Sequence, residues 1–304
     1  MKKLSLITKQ YQDIVDKFRA YLRTKNYSEG SQKNCPYHVR EFLHFMEQRN
    51  TKLNQWQPTD FKDFVKYIKT RKNELKGTAL SNGYINKILQ SLHLLQHYLS
   101  AVDKLDFYAK LPLMKVISHE MEIFSEEDIF YLYDCCKNNH FGLRMRCILA
   151  LCYGCGLRRG EATRLHLEDI WWERNLLQVK KSKIGKNRLI PLTKSVQEHL
   201  KYYYETARPK FEKDQYQSAF LLSNLGNPLS SSSLYYLFKK LLKTAGFEPC
   251  GVHKLRHSIA SHLAASGMKS ELIARFLGHV SLDSTQIYVH LKAETHANTY
   301  FFKD

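Results

Sequence analysis

Residues 251–290 read GVHKLRHSIASHLAASGMKSELIARFLGHVSLDSTQIYVH. His253 and Arg256 stand three residues apart, which puts both on one face of a helix. An apolar-periodic run follows through Ile259, Leu263, Leu272, Ile273 and Phe276, broken near Gly267. That pattern predicts two short helices. The second ends at Leu277-Gly278-His279; a polar loop follows, and Tyr288 lies inside Thr285-Gln-Ile-Tyr-Val-His290. Two histidines and an arginine gathered around two helices suggest a pocket for a phosphate, and the tyrosine adds a hydroxyl that can act as a nucleophile there.

The same residue types recur upstream. A helix expected over residues 142–155 is closed by Gly154 and Gly156, the usual punctuation. Gly156-Leu157-Arg158-Arg159-Gly160-Glu161 then opens another, predicted to run through Ala162 and Leu165 to a turn at Leu167-Glu168-Asp169. A guanidinium projecting from that start can present its planar fork to a phosphate. Glu161 can hold the base of the helix or brace Arg158; taken alone, the two would equally be an ordinary surface ion pair.

Residues 176–192 alternate like a hairpin. Leu177-Gln-Val179 leads into Lys180-Lys-Ser-Lys183-Ile-Gly-Lys186-Asn187 and out through Arg188-Leu-Ile190-Pro191. Lysines at such a tip can enter a groove beside a nucleic-acid backbone, or set an ammonium against a leaving oxygen. Residues 192–207 are expected to be helical, 208–217 a polar loop, and 230–245 a helix with Leu234, Leu237, Phe238, Leu241 and Leu242 facing a core.

Toward the start of the chain, four helical runs predict a compact bundle over residues 1–108. The first carries Tyr11, Ile14, Val15, Phe18, Tyr21 and Leu22, and the second follows Ser28 and Ser31. Thr59 is the expected cap of the third, and Ser81 of the fourth. Lys66, Lys69, Arg71, Lys72 and Lys76 form a local cluster, as a solvated helix end or as a grip on DNA phosphates. Pro112 interrupts a weakening pattern, so residues 109–119 are the expected linker and 120–304 the second domain. Ser125 with Glu126, Glu127 and Asp128 marks that domain's first helix. Residues 294–304 end in an aromatic-rich tail, with Tyr300, Phe301 and Phe302, suited to docking on a neighbouring protomer or on its own domain.

The chain has 304 residues and a formal charge of +18 with 43% hydrophobic content. It is therefore a folded protein with a basic surface rather than a basic disordered tail, and its partner is expected to be polyanionic. No run of 18 apolar residues occurs and no signal-peptide pattern follows Met1, so nucleic acid is a better partner than a membrane. Charge alone also suits a basic protein that merely stays soluble. Seven scattered cysteines indicate a reducing compartment. Cys152 and Cys155 form a C-x-x-C at the end of an apolar run, without a second ligand pair, and read as buried helix cysteines rather than a metal site.

The order Gly-Leu-Arg158, Lys183 on a hairpin, His253-x-Leu-Arg256-His, Leu-Gly-His279 and Thr-x-x-Tyr288-x-His resembles the tyrosine recombinase (phage integrase) family, its Xer-like and mobile-element members in particular. The resemblance covers residues 120–292 and, more loosely, the N-terminal helices. It implies a mainly α fold: a SAM-like helical core-binding domain, then a mixed, mostly α catalytic domain with a small antiparallel sheet. It also implies that Arg158 and Arg256 clamp a scissile DNA phosphate and that Lys183 is the general acid for the leaving 5′-oxygen, with Lys180, Lys181 and Lys186 as neighbours. His253 would handle protons, His279 would bond a non-bridging oxygen, and Glu161 would be an accessory acid. Tyr288 would form a 3′-phosphotyrosyl link. No cofactor or metal is implied. The implied partners are double-stranded DNA with inverted-repeat half-sites and further copies of the chain in a homo-tetramer on two DNA sites, or a second recombinase or accessory factor, in a bacterial cytoplasm. No arm-binding domain is seen before residue 8, which favours simple recombination sites.

The chemistry agrees without the resemblance. A phosphodiester repels nucleophiles, so the site must supply positive charge; two arginines and histidines can do so, and no two-metal carboxylate cluster is evident. A phosphotyrosine conserves the broken bond's energy, so rejoining needs no ATP, and no P-loop is present. The competing classes are a type IB-like topoisomerase and a non-catalytic DNA-binding protein. Dimer resolution and movement of a mobile element remain the two uses of a recombinase.

Overall fold

The computed structural model describes residues 4–73, 77–102, 104–116, 122–180, 187–214 and 217–278. The chain divides into two compact units, Met1–His119 and Glu120–Asp304. The first is a helical bundle of α1 (Lys9–Thr24), α2 (Glu29–Gln48), α3 (Pro58–Thr70) and α4 (Asn82–Ala101). Tyr11, Ile14, Val15, Phe18 and Leu22 form the buried stripe of α1; withdrawing such a side chain from water contributes about 1.5–3 kcal/mol. Ser28 and Ser81 accept hydrogen bonds from the backbone N–H groups of Ser31 and Tyr84, capping α2 and α4 as expected.

The start of α3 differs from the expectation. Gln57, not Thr59, is the N-cap, and the Asp60 carboxylate accepts from the Gln57 N–H at 2.8 Å. Pro58 sits at the first helical position, where its fixed φ and missing N–H carry no penalty. Part of the expected linker is packed on the bundle. Gln96 bonds both backbone groups of Ala109, Asn86 bonds both of Met114, and Leu111 is buried.

The second unit starts with α5 (Glu126–Asp134), capped by Ser125 in a reciprocal box with Asp128. α6 (His140–Leu149) continues as a π-helical turn, Ala150–Gly154. The helix after Gly156, α7, is only Arg159–Ala162 and stops short of Leu165. The backbone there leaves the helix to pair elsewhere: the Leu165 carbonyl accepts from Phe220 N–H and the Leu167 N–H donates to Ser218. Strands β1 (Ile170–Trp171), β2 (Leu176–Val179) and β3 (Arg188–Pro191) form an antiparallel sheet in that order. Its register aligns the buried Ile170, Leu177 and Ile190 across the sheet.

α8 (Lys194–Tyr202) runs through a second π turn, Tyr203–Ala207, into α9 (Arg208–Phe211), where a loop was expected. The helix persists because the buried Arg208 is fully engaged, donating to Gln217 and Ala219 carbonyls and to Glu212. α10 (Ser231–Thr244), α11 (His253–Ala265) and α12 (Ser270–Leu277) complete the described part. Leu272 is 50% exposed, so the core face of α12 is Ile273 and Leu277 rather than the expected Leu272. Cys152 and Cys155 are buried in the core, and burial pushes the Cys152 thiol up to about 12.

Candidate active site

The π turn after α6 sets the site's geometry. Cys155 N–H bonds the Ala150 carbonyl, and Gly156 takes a left-handed φ of 58°. A Cβ at Gly156 would stand 2.8 Å from Leu277 Cδ2 and 2.9 Å from Phe276 Cε1, so both conformation and space require glycine. This sharp exit delivers Arg158 to the N-cap of α7. Arg256, in the first turn of α11, reaches back into the same place. Its Nη1 donates to the Gly156 carbonyl and its Nη2 to the Leu277 carbonyl, each at 2.6 Å. Arg256 is 4% exposed and so ties α11, α12 and the Gly156 turn together.

Glu161 lies at the centre. Its Oε2 accepts from Arg158 N–H at 2.8 Å and its Oε1 from Arg158 Nη1 at 3.1 Å. Arg256 Nη1 is 3.8 Å from Oε2. The carboxylate therefore does both things the sequence allowed: it caps α7 and braces the arginine. A third guanidinium, absent from the expected set, completes the cluster. Arg188 at the start of β3 donates Nη1 and Nη2 to the two Glu161 oxygens, at 3.1 and 2.8 Å. Burial on its own would raise the Glu161 carboxyl; hydrogen bonds and charge from Arg188, then Arg158, bring it down to about 2. Glu161 is thus a fixed anion at neutral pH.

His253 opens α11 one turn before Arg256 and is exposed. Partial desolvation of its ring and then the charges of Arg256, Arg158 and Arg159 hold it below the ordinary imidazole value. It is consequently neutral at pH 7. Arg158, with 38% of its side chain exposed, is the more accessible of the two expected clamp arginines.

The structure brings together Arg158, Glu161, His253 and Arg256 from the expected set and adds Arg188. Lys183, His279 and Tyr288 lie outside the described residues, as do Lys76, Lys181, Lys186 and the tail from residue 294. Lys180 is paired with Glu168 at 2.6 Å and Asp169 at 2.7 Å. In the first unit, Lys66 meets Asp63 at 3.1 Å, while Lys69 and Lys72 are exposed. Arg71 does not fit the expected phosphate contact. Its guanidinium takes both oxygens of the buried Glu41, through Nε and, at 3.0 Å, through Nη2. Withdrawing Arg71 from this pair would leave a buried carboxylate uncompensated.

Three guanidiniums around one carboxylate leave a local excess of positive charge, which suits the site to an anionic group such as a phosphate. The phage integrase family model matches residues 122–295, more than half the chain. The tyrosine recombinase XerD of Listeria innocua is 28% identical over 92% of this chain and 94% of its own length. The tyrosine recombinase XerA of Pyrococcus horikoshii is also 28% identical, over 91% and 88% respectively. Among solved structures, the Tn1549 transposon integrase in complex with a circular intermediate DNA matches with a TM-score of 0.70. It covers 94% of this chain and 96% of its own at 17% identity. The XerH recombinase bound to its difH substrate matches at 0.69, with 16% identity over 95% and 96% of the two chains. The chain belongs to the phage integrase family, the tyrosine recombinases, which are site-specific recombinases that cleave and rejoin DNA strands.

Proposed function

We propose that this chain exchanges DNA strands at specific sites through a 3′-phosphotyrosyl intermediate, using Arg158 and Arg256 as the phosphate clamp. The observation that carries the assignment is the convergence of these arginines, distant in sequence, on Glu161. Tyr288 Oη attacks the phosphorus and loses its proton; the bond to the 5′-oxygen breaks, and Lys183 protonates that oxygen. The neutral His253 is in a state to accept a proton, and His279 bonds a non-bridging oxygen. Attack by a 5′-hydroxyl reverses the step and rejoins a strand without an external energy source. The exposed Lys69 and Lys72, with Lys66 and Lys76, contact the DNA backbone from the first unit, and Lys180, Lys181 and Lys186 from the second. The partner is duplex DNA with inverted half-sites, bound by a tetramer in the bacterial cytoplasm. Among the described residues, no helix is long and apolar enough to cross a membrane.

The test is a nicked duplex that traps the covalent adduct, bearing the half-site this protein selects from a randomised library. The parent chain should form a protein–DNA adduct and Tyr288→Phe none; adduct formation by the phenylalanine variant would refute the nucleophile. Adduct without joining of two such sites would instead indicate topoisomerase action. The biological use proposed is integration, excision or transposition of a mobile element. Resolution of chromosome or plasmid dimers is the second reading, favoured by Xer relatives that align along more than nine-tenths of this chain. Deleting the gene separates the two: loss of element excision supports the first, and filamentous cells with unresolved chromosomes the second.

A further inference from the structure

Arg188 stands on the inner face of β3 with Ile190, and 9% of its side chain is exposed. Its Nε donates to the Phe276 carbonyl at 3.0 Å, while its two terminal nitrogens take both oxygens of Glu161. The fit leaves no slack: Gly278 closes α12 at φ 66°, and a Cβ there would lie 2.9 Å from Arg188 Nη1. A buried carboxylate demands compensation. Without Arg188, the charge available to Glu161 would come from Arg158 and Arg256, the two groups the DNA phosphate needs.

We propose that Arg188 is a positioning residue for strand cleavage: by pairing with Glu161 it leaves the charge of Arg158 and Arg256 to the scissile phosphate. The bond from Nε to the Phe276 carbonyl anchors the guanidinium while its two terminal nitrogens take the two carboxylate oxygens, a two-point fork. Neutralising Glu161 by mutation should then remove most of the need for Arg188, which a purely structural ion pair would not predict. The proposal rests on the recombinase reading.

The experiment measures single-turnover adduct formation on the nicked, library-selected duplex, with DNA affinity measured in parallel, for the parent, Arg188→Met, Glu161→Gln and the double variant. Arg188→Met should lose about 100-fold in cleavage, as disturbed positioning of a reacting group does, with affinity held within about threefold. The double variant should cleave at least about tenfold faster than Arg188→Met. A double variant no faster than Arg188→Met overturns the proposal, and so does an Arg188→Met chain that cleaves like the parent. Should Arg188→Met not fold, the double variant is compared with Glu161→Gln. A difference under about tenfold supports the proposal and a larger loss overturns it. Absence of adduct from the parent itself would sink the recombinase reading, and this assignment with it.

Discussion

Arg158 and Arg256 are chemically alike but differently placed. Arg256 is buried, with both terminal nitrogens on backbone carbonyls, so it builds the site as well as charging it. Arg158 is partly open and bonded chiefly to Glu161. Arg158→Ala should therefore cut single-turnover cleavage by about 100- to 1000-fold while changing DNA affinity little. Equal losses in both would contradict the role. The same charges act on His253, whose folded value lies below the ordinary 6.5. The imidazole is thus neutral through the physiological range and gains its proton only as pH falls below that value. Removing one of the responsible cations in Arg158→Met should move the midpoint upward, toward the ordinary value. An NMR titration of His253 checks this, and a midpoint unmoved or lowered would exclude Arg158 as a cause.

Among the elements, the turn from α6 to α7 decides the most. Gly156→Ala would strain a left-handed residue and press a methyl against Leu277 and Phe276. A loss of about 2–4 kcal/mol in unfolding free energy is expected; urea denaturation measures it, and a change under about 0.5 kcal/mol would show that the turn can relax. Much of this was legible in the sequence. The glycine break at Gly156 and Arg158 lie within three residues, and His253 with Arg256 shares one helical turn. Serine caps marked α2, α4 and α5 because a hydroxyl before an apolar stripe has a local hydrogen-bonding reason to be there. Arg188 was not legible as a site residue. In Arg188-Leu-Ile190-Pro191, alternation sets two faces but does not say which is buried; the sheet buries Ile190, leaves Arg188 half-buried on the same face, and leaves Leu189 47% exposed. Pro36 illustrates a different limit. It lies inside α2, which nevertheless runs on past it because Val39, Phe42, Leu43 and Met46 are buried beyond, and their packing outweighs a cost of about 3 kcal/mol.

For the whole molecule, net charge of +18 says that a polyanion is favoured but not which cations hold it. The ion pairs narrow the choice. Arg71 and Glu41 have side chains 13% and 4% exposed, so Arg71→Ala would strand a buried carboxylate. The bundle should lose about 3–5 kcal/mol, read by unfolding without DNA. Lys69 is exposed and free of any such structural duty in the described ion pairs. Lys69→Ala should leave stability unchanged within about 0.5 kcal/mol. If Lys69 neutralises a phosphate, the slope of log affinity against log salt should become shallower by about 0.9. The two substitutions remove the same formal charge from one short stretch, so a general field effect would weaken DNA binding equally in both. A salt slope that changes for Lys69→Ala, together with a stability loss confined to Arg71→Ala, separates a grip on DNA from a pillar of the fold.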